Sequence, residues 1–441
     1  MRIPKAWDIV AFNPTRILTK PLKKDLLYTF AAEAMIFLAG LLVYRVASDS
    51  MGEQGFSEYA LGRRVLSFVQ PVLLLGLGVG IPRYMVMAQT AGTGNSQKKY
   101  FISGLCILLV MIAFFSACTA IFPLAFSRLF FGNASYVYMI PSLAWMASGI
   151  MLHSLGYAYF RGRLKMAVAN ILQFINIGCI PVTVFFLIKE KALDYPLRAE
   201  NVLLCTGILW CAVSSAFLLA ALIRTGISLS GFFSSSSELL RYGVQRLPGD
   251  FSLIGILTLP AIFTAHLAGI REAGYVAFGV SMINIFGTSF APIGLVLLPH
   301  ASRMIAEKNM EGLKSRVVKF LRFTIFLSTA GIIVFEAAAV PLLRWYLPKI
   351  FSDELVHVAR IIVTGALAYG PFVTVRSVVD SYYDRGVNAK NSFIAFVVFI
   401  IVSGTAWMLH WDYSFIVWGM VLSLYVLIFL TALELKKIFK P

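Results

Sequence analysis

The sequence predicts an all-α polytopic membrane protein of about twelve transmembrane helices. Three observations carry that prediction. Apolar runs long enough to cross a bilayer, about 20 residues each, recur along the whole chain. Only 13% of the 441 residues are charged and 59% are hydrophobic, against about 25% charged in a soluble domain. Lysines and arginines collect in every second gap between the apolar runs, the pattern left by alternating sides of a membrane. Backbone groups in lipid must pair internally, which helices achieve within one segment. A β-barrel would alternate apolar and polar residues, and LCILLVMIAFF around Cys106 does not.

Taken in order, the predicted spans are 26–46, 59–82, 100–123, 137–160, 168–188 and 202–223, then 247–268, 274–299, 320–343, 357–380, 391–410 and 413–433. Pro71, Pro181, Pro260, Pro292 and Pro371 interrupt them and free carbonyls inside the bundle. Gaps are short, and none holds a folded soluble domain. With the N-terminus and every even-to-odd gap on one side, that side holds 27 of the 38 basic residues, so it is cytoplasmic and both termini lie inside. Residues 1–25 carry Pro4, Pro14 and Pro21 but no short apolar core. They read as a cytoplasmic lead-in rather than a cleaved signal.

A weak repeat appears at a shift of 217 residues. Gly52 falls on Gly269, Ala60 on Ala277, Gly62 on Gly279, Pro82 on Pro299, and Glu33 on Asp250. Six helices per half leave both halves in the same orientation, so the expectation is two pseudo-symmetric lobes about an axis along the membrane normal, enclosing a cavity. The lobes are then 26–223 and 247–433, joined by a cytoplasmic loop at 224–246 and followed by a tail at 434–441.

The net charge of +17 is mostly topological, which argues against a nucleic-acid partner. Cys106, Cys118, Cys179, Cys205 and Cys211 all lie in apolar runs without CxxC spacing or a histidine cluster, and read as small core residues rather than disulfides or metal ligands. No metal site and no catalytic constellation is expected. GLGVG at 76–80 sits in apolar helix and is not a nucleotide loop.

The first hairpin reads LLVYRVASDSMGEQGFSEYALGRRVLSFVQPVLLLGLGVGIPRYMV. Its Arg45, Gly52, Gly55, Phe56, Tyr59, Gly76, Leu77, Gly78, Pro82 and Arg83, with EAGYVAFGV at 272–280 and VLLPHASRM at 296–304, resemble the bacterial polysaccharide (O-antigen, Wzx-type) flippases of the multidrug/oligosaccharidyl-lipid/polysaccharide (MOP) exporter superfamily. The resemblance implies a MATE-like fold. It also implies alternating-access export of an undecaprenyl-diphosphate-linked oligosaccharide across the bacterial inner membrane, for lipopolysaccharide, capsule or exopolysaccharide assembly. A polysaccharide polymerase and chain-length proteins would be the implied partners. The same fold also serves a MATE-type multidrug/cation antiporter, the competing reading; a membrane enzyme is the weakest.

Ionisable residues within the spans are the candidate working groups. Arg63 shares a helix face with Ser67 and Gln70, and a guanidinium forks onto phosphate oxygens. Arg63, Arg246 and Arg376 are therefore the expected diphosphate ligands. Against this, Arg246–Asp250, Arg376–Asp380 and Arg45–Asp49 are spaced to neutralise themselves one turn apart. Gln70, His153, Asn170, Gln173 and Asn284 are candidates for sugar hydroxyls, with interhelical glue as the rival role. Glu33 and its repeat mate Asp250 are candidates for coupling to a proton or sodium gradient, since burial favours a neutral carboxyl. A fixed ion pair between Glu33 and an arginine is the other reading. Arg360 is expected to snorkel to the outer boundary, and Glu336 either to pair across helices or to work. No bound cofactor is expected.

Overall fold

A computed structural model describes residues 20–90, 94–190, 197–226, 231–383 and 386–440. The lead-in before residue 20, Asp194 and Arg385 lie outside the described residues. Among those described, the chain is entirely helical, without strands.

The first lobe comprises α1 (Lys20–Leu74), α2 (Leu77–Thr90), α3 (Gly94–Ile121), α4 (Pro123–Phe131), α5 (Ile140–Gly162), α6 (Met166–Gln173), α7 (Ile180–Lys189) and α8 (Ala199–Thr225). The second comprises α9 (Phe232–Leu267), α10 (Ile270–Ala306), α11 (Met310–Tyr346), α12 (Asp353–Thr364), α13 (Ala366–Tyr382), α14 (Val387–Met408) and α15 (Ser414–Ile438). Eleven segments of the described chain are long and apolar enough to cross a membrane.

The first of these segments is two spans. Gly52 leaves the helical region at φ 67°, ψ −170°, where an L side chain would be strained. Tyr44 and Arg63 would stand about 28 Å apart in a straight helix. Instead the Arg63 guanidinium lies 5.5 Å from the Tyr44 ring, so the chain doubles back at Gly52. Its repeat mate Gly269, with φ 117° and ψ 179°, turns α9 into α10 in the same manner.

Helix 1 and its partner are not the only repeat mates to coincide. Ser57 and Gly274 differ by 217 in number, and a Cβ placed on Gly274 would lie 2.4 Å from the Ser57 Cβ. Seven residues further on, the Arg64 guanidinium donates to Ser281 Oγ, again a separation of 217. Mates can touch only on a pseudo-twofold axis. Two such contacts along one pair of helices set that axis parallel to them, hence along the membrane normal.

The expected loop at 224–246 is largely helix. α9 starts at Phe232 after Gly231, held at φ 71°, and its first turns pack on the first lobe. Gly243 presses against the carbonyl of Leu75. Leu75 and Gly76 have φ of 44° and 67°, four and five residues after Pro71, so the second limb of α1 breaks there before resuming as α2. In the short outer gap between spans three and four, Pro123 opens α4 and left-handed Gly132 caps it. The fifth span is α6 and α7 joined by a π-helical turn, Phe174–Cys179, just ahead of Pro181. α5 and α8 cross closely because Gly149 and Gly207 remove the intervening side chains: a Cβ on Gly207 would sit 2.5 Å from the Met146 nitrogen.

Candidate functional site

The second limb of α1, residues 53–74, runs along the boundary between the lobes. Arg63 and Arg64 lie about 16 Å below the Gly52 turn at 1.5 Å per residue, near the middle of a hydrocarbon layer about 30 Å thick. Neither is part of an ion pair among the described residues.

The two arginines do different things. Arg64 is buried and crosses to the other lobe, donating to the Ala277 carbonyl at 3.1 Å and to Ser281 Oγ. Tyr44 joins the same knot through a 2.9 Å bond to Ser281. Arg63 is only half-buried and rests against two aromatic faces, 5.5 Å from Tyr44 and 5.9 Å from Tyr59. Ser67, Gln70 and Leu74 continue its half-exposed stripe at helical spacing. Tyr44 was not singled out from sequence, and Tyr59 entered only among the residues of the family resemblance. The hairpin at Gly52 sets Tyr44 back against the level of Ala60, a register that the sequence reading did not follow through.

Of the other expected anion ligands, Arg246 and Arg376 lie toward the end opposite the Gly52 turn. Arg246 closes on Asp250 at 2.7 Å, with both side chains about two-fifths exposed, and Arg45 closes on Asp49 at 3.1 Å. The third spaced pair does not close: Asp380 instead accepts from Asn388 at 2.8 Å, and the same amide donates to the Arg376 carbonyl at 2.7 Å. Asn388, the second residue of α14, takes the carboxylate, and Arg376 is exposed.

The polar stripe of the fifth span holds the first lobe together. Asn170 donates to Thr29 at 2.9 Å, and Gln173 to Glu33 at 2.8 Å. The π-helical turn directs Asn176 to His153 Nδ1 at 3.0 Å and Ser214 at 2.9 Å, while the Asn176 carbonyl accepts from the Trp210 indole. His153 is 5% exposed. These residues occupy the interhelical role. Glu33 is half-buried with an amide partner and no arginine pair among the described residues. Glu336 and Arg360 find each other across α11 and α12 at 3.2 Å, so Arg360 is paired rather than merely snorkelling. Asn284 is half-exposed on α10.

At the end that carries the Gly52 turn the lobes are clasped by a further set of bonds. Glu53 accepts from Arg271 at 2.8 Å and from Tyr275. Arg45 donates to the Trp345 and Tyr346 carbonyls, and Lys349 to the Asp49 carbonyl. Deeper along the first limb, the bonds of Thr29 and Glu33 run to helix α6 of their own lobe. The opposite end is bonded as well, where Tyr100 of α3 donates to Glu238 of α9 at 2.6 Å and Ser103 pairs with Ser235 at 2.8 Å.

No protein-family model matches the chain, and no curated protein matches it. Solved structures do match in fold. An inward-facing multidrug-resistance MATE family transporter of the MOP superfamily superposes with a TM-score of 0.70 at 15% identity, covering 94% of this chain and 98% of its own. An outward-facing MATE transporter of the same superfamily scores 0.58 at 14% identity, covering 94% and 96%. The lipid II flippase MurJ, in an inward closed conformation, scores 0.69 at 11% identity, covering 94% and 89%. The chain is a polytopic helical membrane protein with the MATE/MurJ architecture. Its neighbours in fold are MOP superfamily transporters, not enzymes.

Proposed function

We propose that this protein is an inner-membrane flippase for a polyprenyl-diphosphate-linked oligosaccharide, serving bacterial surface polysaccharide assembly. The observation carrying the reading is the pair Arg63–Arg64, two guanidiniums at mid-membrane on the lobe boundary with no carboxylate partner among the described residues. An arginine at that depth costs about 2.5–3.5 kcal/mol on the insertion scale. Its two cation–π contacts return about 0.5–2 kcal/mol each, but neither ring carries a full negative charge, so Arg63 is left without a counter-ion. A diphosphate supplies one with bidentate oxygens, and it is an ill-suited site for a cationic drug.

In this mechanism the headgroup enters from the cytoplasmic side while the outer clasp is shut, with Arg246 and Arg376 guiding it and Arg63 holding it. The sugars stand between the lobes beside Gln70 and Asn284, and the polyprenyl tail stays in lipid. Opening the clasp and parting the lobes on that side releases the headgroup outward. Glu33, bonded to Gln173 and free of any arginine pair among the described residues, is the group for coupling to a proton or sodium gradient. The same residue favours the second reading, a MATE-type cation antiporter, because a lone carboxylate suits a cation.

Two assays in parallel decide between them: flipping of a fluorescent polyprenyl-diphosphate oligosaccharide in proteoliposomes, and pH-gradient-driven efflux of an organic cation. The flippase reading expects flipping to fall at least tenfold in Arg63→Ala and to return only partly in Arg63→Lys, which keeps charge without the fork. Organic-cation efflux lost in Glu33→Gln, with no flipping by the unaltered protein, overturns it.

A further inference from the structure

We propose that the cytoplasmic end of the second lobe carries a binding site for an anionic glycerophospholipid of the surrounding leaflet, in the cleft between α11 and α15. The cleft has a volume of about 390 Å³, inside the range of about 300–1,000 Å³ typical of ligand sites. Its floor is apolar, with Val318, Leu321 and Phe439, and its rim carries Lys314, Lys436 and Lys440. It lies at the start of α11 and the end of α15, the far end of both helices from Tyr346 and Ser414, and apart from the arginines at the lobe boundary.

The cleft exists because α11 and α15 each pack on α13 beneath rather than on one another. Leu313, Val317, Val375, Val378, Val379 and Leu435 form a separate small core under it. This holds the two walls in place, so the cleft is a standing feature of the fold and not a gap between loose ends.

The occupant follows from chemistry and depth. All three rim lysines are exposed and belong to no ion pair among the described residues, whereas the neighbouring Lys437 is already paired with Glu434 at 2.7 Å. The free ammonium groups therefore call for an anion. Toward mid-membrane the cleft opens onto a lipid-facing surface where Phe326 and Phe429 are 71% and 62% exposed. A soluble phosphate would leave Leu321 and Phe439 uncovered; a zwitterionic lipid would leave the lysines unmatched. A phosphatidylglycerol-type lipid fits both, with its phosphate among the lysines and its acyl chains along the apolar floor.

The test is lipid binding to the purified full-length protein in detergent, read by native mass spectrometry and by the rise in melting temperature that a native-state ligand produces. Phosphatidylglycerol is expected to be retained and to raise the melting temperature; phosphatidylcholine and inorganic phosphate are expected to do neither. Affinity for phosphatidylglycerol should fall tenfold or more in the triple variant Lys314→Gln/Lys436→Gln/Lys440→Gln, at about fivefold per lysine. Ala432→Trp keeps every lysine but fills the floor, and should also lose retention, which serves if the triple variant fails to fold. Equal retention by the native protein and both variants overturns the proposal. So does an equal shift from phosphatidylcholine or from inorganic phosphate, or retention of a polyprenyl phosphate in place of the glycerophospholipid.

Discussion

An arginine in hydrocarbon survives only if the protein or its ligand shares the charge, and adjacent residues here take the two routes. Arg64 spends its donors on Ala277 and Ser281 of the opposite lobe, whereas Arg63 leans on Tyr44 and Tyr59. Removing Arg64 should therefore damage assembly, and removing Arg63 should damage transport. Arg64→Ala is expected to lower the melting temperature, since it removes two bonds from a charged donor to the opposite lobe, each worth about 1.5–3 kcal/mol. Arg63→Ala should melt close to the native protein, as differential scanning fluorimetry would show. The same logic separates structural from sugar-binding roles in the fifth span. Asn176→Ala strands His153 Nδ1 and Ser214 and should cost about 1–3 kcal/mol of stability; an unchanged melting temperature would remove the interhelical role.

Among the elements, the sharpest constraint is where α9 crosses the break in the second limb of α1. A Cβ on Gly243 would lie 1.7 Å from the Leu75 carbonyl oxygen, a distance no rotamer relieves. Gly243→Ala must push the backbones apart, and overpacking of this kind costs about 1–3 kcal/mol. Thermal melting and expression level should both drop, whereas Gly404→Ala, with open space around it, should change neither. The spans themselves were legible in the sequence, because twenty apolar residues have one economical conformation in lipid. What the sequence concealed lay at their ends and breaks. The helix at 232–246 reads as a serine-rich loop until Gly243 and Leu239 find the first lobe. Asn388 displaces Arg376 from Asp380 through a loop-crossing contact that spacing along one helix cannot register. The Glu336–Arg360 pair likewise joins two helices, and no single-helix pattern announces it.

For the whole molecule, the clasp at the Gly52 end opposes parting of the lobes there. The Arg271–Glu53 bridge is partly exposed, at 49% and 39%, so solvent screening limits it to about 0.2–1 kcal/mol. Glu53→Gln should therefore shift the population toward the outward-open state by no more than about fivefold, an effect readable as labelling of single cysteines placed along the α1 limb at residue 67. A clasp this weak would open at little cost, as the proposed alternating access requires. The lobes themselves were foreshadowed by the 217-residue shift, although five coincidences gave no hint of which mates touch.

That contact between mates limits how the chain can have been put together. At the level of Arg64 the axis leaves room for one guanidinium, because its counterpart is the residue it binds. Two copies of the first half would bring arginine against arginine, at about 4 kcal/mol of repulsion for charges 4 Å apart in a partly screened setting. Two copies of the second would meet as serines and carry no cation at all. The two halves are thus unlike where they meet, and Ser281→Arg, which makes them alike at this one point, is expected to lower the melting temperature.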